Sequence, residues 1–325
     1  LFVADTSGSM ADNRVKVAEG LHAFVGQLPA GVDYRIGMML AHSSRSSFSG
    51  RLWTLQNEDR NPVHGLPAVL DSAQMSQHTI QTRLRTMMET ARDQNEQGEM
   101  MMYSLLQGLT PAKLAESRAL GFFRPNAALA VVFISDENDV CAIYPSNAGN
   151  LTQTLWTGMT NQELSIRNRD CSSGISATQV INAVRELQGD RPFTFGAIVN
   201  NTNPFLERTT NDGYGWGMMG VIEDSQGLSL DIEDGNYITG LGQLGQLVTR
   251  SLELILSRQL EHSPVDPSSI EVFVDGIRKS STFVESTNEV HFTDAGGARS
   301  LVEINYCLQQ SGGGTGGGGV VIIPG

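Results

Sequence analysis

No stretch of the sequence offers the ~18 consecutive apolar residues that a bilayer-spanning helix needs, so no membrane span is expected. Positive charge is in deficit. The 22 Lys and Arg stand against 35 Asp and Glu, a formal net charge of -13, and that balance repels phosphate backbones and anionic lipid surfaces. Nucleic acid is therefore not the expected partner. Cysteine is scarce: Cys141, Cys171 and Cys307 form no CxxC pair and no spacing that suits zinc. On count alone, three scattered thiols fit isolated buried residues as well as a disulfide. The six His are scattered without metal-ligand spacing, and GxSxG, HExxH and GxGxxG are missing from any supporting context. Hydrolase or dehydrogenase chemistry thus has no visible residues. Residues 311–319 (SGGGTGGGG) have no Lys-Ser or Lys-Thr after them, which excludes a phosphate loop and leaves a tail or linker. Leu1 opens an apolar strand with no initiator Met, no basic leader and no cleavage site, so a longer precursor is expected.

What is there suits a globular chain of 325 residues, 40% of them apolar and 18% charged, enough for one large domain and a small one. Residues 1–5 (LFVAD) read as a short buried strand. A helix follows from near Asn13, because Val15, Val17, Ala18, Leu21, Phe24, Val25 and Leu28 recur at three- and four-residue spacing before Pro29 and Gly31 stop it. A strand is expected over 33–41, and a hairpin at the sheet edge over 43–55, with Phe48, Leu52 and Trp53. Helices are predicted over 79–91, 99–109 and 112–120. Residues 128–135 (ALAVVFIS) form the clearest strand, uncharged and so buried on both faces. A helix over 176–187, a strand over 193–199, a Gly-rich loop at 212–217, a strand near 228–230 and a helix near 237–249 complete the alternation. The pattern predicts an α/β fold: a Rossmann-like, doubly wound, mostly parallel sheet over residues 1–260 that binds ligands at the carboxyl ends of its strands. After the Pro-rich stretch 262–269, short alternating segments at 270–274, 282–284, 290–292 and 301–306 predict a small all-β domain over 266–310. Residues 311–325 read as a Gly-rich tail.

Chemistry concentrates where the first strand ends. Asp5-Thr6-Ser7-Gly8-Ser9 places one carboxylate and two hydroxyls on a tight loop that enters a helix, oxygen donors that suit a hard cation of the Mg²⁺ type. The plainer alternative is that Asp and Ser cap the helix, which accounts for one such residue but not for this spacing after a buried strand. Asp136 closes the strand over 128–135 in Ser135-Asp136-Glu137-Asn138-Asp139. DIEDGN at 231–236 reads as a turn, and the Met cluster at 100–102 as core packing.

The apolar strand, DTSGS and amphipathic helix together resemble the metal-ion-dependent adhesion site of von Willebrand factor A domains. That resemblance implies that Asp5, Ser7, Ser9 and Asp136 are metal ligands. Where the family carries a Thr, this sequence has Asn95-Glu96-Gln97-Gly98, and Glu96 stands there as an oxygen donor in its place or as a solvated loop residue. A carboxylate at that position leaves less positive charge on the ion for an acidic ligand. The stretches NEQG and GFFRPNAALAVVFISDEND resemble exported bacterial members of the family, in which a Cys soon after the third motif pairs with another in the following insertion. By that resemblance Cys141 pairs with Cys171 and staples an insertion near 141–176. SIEVFVDG and NEVHFTDAGGARSLVEINY resemble the β-module that follows such domains.

The resemblance implies a non-enzymatic binding module outside the cytoplasm, at a bacterial surface or envelope. Mg²⁺, Mn²⁺ or Ca²⁺ would be completed by a carboxylate from a protein partner, and the loops over 41–69, 142–176 and 200–220 would supply specificity. A structural assembly module with a weak or empty site is the alternative. A phosphotransferase with Asp5 as nucleophile is disfavoured, since two serines and the lack of a second Asp or a Lys fit coordination better.

Overall fold

A computed structural model describes residues 1–29, 32–54, 67–91, 98–125, 127–144, 161–189, 191–201, 214–235, 237–251, 255–274, 276–293, 301–308 and 318–324. Strands β1 (Phe2–Ala4), β2 (Arg35–Leu40), β3 (Val69–Asp71), β4 (Leu129–Ile134), β5 (Phe193–Val199) and β6 (Leu228–Asp231) form one sheet in the order β3-β2-β1-β4-β5-β6. All pairings are parallel except that of β2 with the edge strand β3. The helices are α1 (Ala11–Gly26), α2 (Gln77–Thr90), α3 (Met101–Gly108), α4 (Pro111–Ala119), α5 (Asn161–Asp170), α6 (Ala177–Gln188), α7 (Met218–Ser225) and α8 (Tyr237–Ser251).

Apolar runs without polar alternation need cover on both faces, and the sheet has it. Phe2, Ala4, Met38, Leu40, Val132 and Ile134 share a core with Val17 and Leu21 of α1, Ile80 and Leu84 of α2, and Leu241 and Leu244 of α8. Their neighbours in sequence, Val3, Met39, Val131 and Phe133, join Phe195 and Ala197 in a second core with Leu105 of α3, Val180 and Val184 of α6, and Val221 of α7. This is the period of two that strand geometry dictates. Each fully buried large side chain contributes ~1.5–3 kcal/mol, which makes the two cores the main source of rigidity under the loops. Gly20 lets α1 and α8 approach closely, since a Cβ there would lie 2.8 Å from Leu241 Cδ1 and 2.9 Å from Tyr237.

After α8 the texture changes to antiparallel sheet. One sheet joins β7 (Ile255–Gln259), β10 (Ser281–Val284) and β11 (Glu289–Thr293) in the order β10-β11-β7. The other joins β8 (Glu271–Val274), β9 (Ile277–Lys279), β12 (Leu301–Cys307) and β13 (Gly318–Pro324) in the order β13-β12-β8-β9. Leu260, Val265, Val272, Val274, Val290, Phe292, Val302, Ile304 and Tyr306 form their shared core. The predicted fold class holds: a doubly wound, mostly parallel α/β sheet followed by small antiparallel β-structure. Among the described residues, no helix is long and apolar enough to cross a membrane.

Several local expectations change. Within 43–54 the described chain makes turns in place of a hairpin, with a single isolated bridge from Met39 to Leu52. Phe48, Leu52 and Trp53 are buried all the same, so side-chain burial and not strand pairing holds this segment. Helix α4 starts one residue earlier than expected, with Pro111 in its first turn, where its missing N–H costs nothing. The polar insertion contains α5, and α7 follows the Gly-rich loop. Residues 318–324, read as part of a tail, pair as β13 with β12. The expected disulfide is present: Cys141 and Cys171 are bonded, with Cα atoms 5.7 Å apart. Cys307, open in the sequence to burial in the small domain or to pairing beyond this chain, is an exposed free thiol at the end of β12.

Candidate metal centre

In a doubly wound sheet the chain leaves β1 in one direction and returns to β4 on the other side. The helices after these two strands diverge and open a crevice at their carboxyl ends. Asp5 follows β1 directly, and Ser135 and Asp136 follow β4. The Asp5 N–H donates to the Ile134 carbonyl at 2.8 Å, which locks the two strand ends side by side. Four of the five residues singled out from the sequence meet there.

Asp5, Ser7 and Asp136 are buried, while Ser9 is exposed at the mouth. The Ser7 N–H donates to Asp5 Oδ1 at 2.7 Å and the Ser135 hydroxyl donates to Asp5 Oδ2 at 2.7 Å. Ser7 Oγ lies 2.8 Å from Ser9 Oγ, and the Ser9 hydroxyl donates to Asp136 Oδ1 at 3.2 Å. Two hydroxyls and two carboxylates thus form one connected set of hard oxygen donors, the chemistry that Mg²⁺ or Ca²⁺ takes. Helix capping does not explain the set, for the N-cap of α1 is Met10, whose side chain makes no capping hydrogen bond. Thr6 takes no part in these bonds: its hydroxyl lies 2.8 Å from His42 Nε2, and His42 Nδ1 lies 2.8 Å from Ser46 Oγ.

The end of the segment to which the resemblance assigns a further ligand reaches this loop. Glu96 lies outside the described residues, but Gly98 accepts a hydrogen bond from the Thr6 N–H at 3.4 Å. A Cβ on Gly98 would stand 2.5 Å from Thr6 Oγ1 and 2.6 Å from the backbone nitrogens of Thr6 and Ser7. Only glycine allows the two loops to touch. Gly98→Ala is expected to cost roughly 1–3 kcal/mol through this overpacking, read as a lowered thermal midpoint. A midpoint within error of wild type would show that the loops yield without cost.

Burial dominates the electrostatics. It pushes the Asp5 carboxyl well above the usual carboxylate range against the hydrogen bonds from Ser135 and Ser7, and the charge of Glu137 adds to the rise. Burial likewise raises Glu99, helped by the charges of Asp5, Glu137 and Glu163. A cation in the crevice would reverse the balance by stabilising the ionised forms. Asp139 is raised by burial to about 7, although the N–H groups of Met102 and Cys141 donate to it at 2.7 Å each.

No family model matches the sequence, and no curated protein matches it. A solved structure described as von Willebrand factor type A from Catenulispora acidiphila is similar to it. The two are 11% identical at a TM-score of 0.38, with 99% of this chain covered; the chain spans 65% of that structure's length. At that level of likeness the fold class rests on the strand order and strand directions given above.

Sequence reading missed several residues around the crevice. Ser135 fixes the second oxygen of Asp5, and Asp139 caps α3 from a different loop. Glu99, Glu137 and Glu163 bring carboxylate oxygens within 4.8 Å of one another. Glu137 and Asp139 stand in the SDEND stretch already noted for Asp136, so their density was the available signal. Glu163 gave none, lying in a polar insertion without periodicity. Arg167 of α5 donates to the carbonyls of Val140 at 2.6 Å and Ala142 at 2.8 Å and lies 5.4 Å from the Tyr144 ring centroid, which ties that insertion to the loop after β4.

Proposed function

We propose that this chain is a von Willebrand factor A-type binding module with a metal-ion-dependent adhesion site. Asp5, Ser7, Ser9 and Asp136 hold one divalent cation, Mg²⁺ foremost and Mn²⁺ or Ca²⁺ as alternatives, and a carboxylate from a protein partner completes its shell. The observation that carries the reading is the single bonded chain from Asp5 through Ser7 and Ser9 to Asp136 at the reversal of strand order. The ion's charge would hold both carboxylates ionised despite their burial. Ser9, exposed at the mouth, marks the side from which a partner approaches. The loops over 41–69, 142–176 and 200–220 supply specificity, although parts of each lie outside the described residues. No covalent step is assigned to the site. The Cys141–Cys171 bridge supports a place outside the reducing cytoplasm, at a bacterial surface or envelope.

An ion that binds the folded state alone stabilises it by mass action, about 2.7 kcal/mol at a hundredfold excess over Kd, or about 5–10 °C for a domain of this size. The thermal midpoint in millimolar Mg²⁺ is expected to exceed that in EDTA by such an amount. Ser7→Ala/Ser9→Ala, which removes two neutral donors and leaves every charge in place, should abolish most of the rise. No rise in wild type, or an equal rise in the variant, would overturn the adhesion site and leave the chain as an assembly scaffold.

A further inference from the structure

Beside the four-residue site lies a second group of oxygens that it does not use. Glu99 precedes α3, Glu137 follows Asp136 in the loop after β4, and Glu163 sits in the first turn of α5. These positions come from three separate loops or elements. One carboxylate oxygen from each lies within 4.8 Å of the others, no farther apart than two oxygens on opposite sides of one Ca²⁺ at about 2.4 Å. Acidic residues gather on many surfaces, but two members of this group are buried and the third, Glu137, is half-buried. Glu99 and Glu163 are each 8% exposed. The Glu99 carboxyl is hydrogen-bonded to Glu163, and among the described residues its Oε2 is fully enclosed and has no partner of its own. A buried carboxylate oxygen without a partner is costly, and two further carboxylates beside it raise that cost unless positive charge is supplied.

We propose that Glu99, Glu137 and Glu163 form a second divalent-cation site, selective for Ca²⁺, that clamps the insertion helix α5 to the carboxyl edge of the sheet. The donor set is purely anionic oxygen, which favours hard ions over zinc or copper. Three carboxylates able to bind through one oxygen or two suit the six to eight ligands of Ca²⁺ better than the strict octahedron of Mg²⁺, which keeps its waters. The clamp acts across the insertion that the Cys141–Cys171 bridge closes, at the opposite end of α5 from Cys171. One end of α5 is thus fixed covalently and the other by an ion. The inference does not depend on the adhesion site, since none of its three ligands belongs to the set Asp5, Ser7, Ser9 and Asp136.

The test is calorimetric titration of the full chain with CaCl₂ after EDTA treatment, combined with hydrogen exchange of the α5 amides. Wild type is expected to bind Ca²⁺ at this site, with slower exchange along α5 once it is loaded. Glu163→Gln keeps the shape and removes one ligand, so affinity should fall by more than the roughly 10–100-fold that loss of an outer partner costs. Ser7→Ala/Ser9→Ala should leave this binding and the slowed exchange in place. Glu137→Gln serves as the independent second variant. Ca²⁺ binding that is unchanged in both Glu variants, or no Ca²⁺ effect on α5 exchange, overturns the proposal; a shared proton between Glu99 and Glu163 would then account for the cluster. Binding lost in Ser7→Ala/Ser9→Ala but kept in Glu163→Gln would overturn this site and support the adhesion site alone. The converse pattern would support this site and count against the other.

Discussion

Asp139→Ala is expected to lower stability by about 3–5 kcal/mol, as much as deleting a large core side chain, although Asp139 is neither apolar nor among the proposed ligands. Asp139 is fully buried, and its two oxygens accept from the N–H groups of Met102 and Cys141 at 2.7 Å. Helix α3 has Met100 at its N-cap with no side-chain cap of its own, so Asp139 supplies from another loop what a local Ser or Asp usually supplies. Alanine would leave two buried N–H groups unmatched at about 1–3 kcal/mol each. Asparagine keeps one acceptor oxygen and should cost roughly half as much. The sign of the pH dependence follows from burial. In the folded chain the carboxyl titrates at about 7 instead of 3.8, so the folded state holds a proton that the unfolded chain releases. The corresponding stability is complete below pH ~4 and is lost as pH rises through about 7. Urea titrations in EDTA at several pH values should show wild type declining over that window and Asp139→Asn declining less. An alanine variant within about 1 kcal/mol of wild type would mean that α3 finds another cap.

What was legible in the sequence depended on local pattern. The uncharged run that became β4 and the five residues ending in Asp5 needed no partner to be read as buried strands. Their alternation with helices then placed Asp5 and Asp136 at adjoining strand ends. Edge strand β3, with three residues, exists through its pairing with β2, and β13 through its pairing with β12 across a Gly-rich stretch. Neither has a period long enough to register. Helix α5 offered no apolar stripe, for Leu164 is exposed and Ile166 is its buried apolar anchor; Arg167, the hydrogen bonds from Ser44 to Asp170 and the disulfide add to its hold. Residues 43–54 misled because burial of Phe48, Leu52 and Trp53 gives the composition of a hairpin without its hydrogen bonds. The acidic cluster stayed hidden for a related reason. Glu99 and Glu163 are far apart in sequence, and the fold alone brings them together.

Replacing both Cys141 and Cys171 by Ser is expected to cost about 3–4 kcal/mol, the loop-closure entropy for the 30-residue separation of the pair. That is a large part of the 5–15 kcal/mol typical of a whole domain. Two native contacts bear on how the loss appears. The strand-like bridge between Ala142 and Ile175, with Ile143 N–H donating to Ile175 O at 3.0 Å and Ile175 N–H to Cys141 O at 2.6 Å, already holds the ends of the insertion together in the folded state. Arg167 holds α5 to the carbonyls of Val140 and Ala142 independently of either sulfur. The folded geometry should therefore survive, and the cost should arise in the unfolded ensemble, where the open chain gains freedom. Equilibrium urea unfolding should show the midpoint falling while the slope rises slightly, because the reduced unfolded chain exposes more surface. If the bridge instead holds the native state in shape, α5 exchange would accelerate in the double-Ser variant under conditions where the domain stays folded, and the measured loss would depart from the entropic figure. Adding Ca²⁺ separates the two cases, since an ion clamp at Glu163 tightens α5 only if the helix remains docked after the sulfurs are gone.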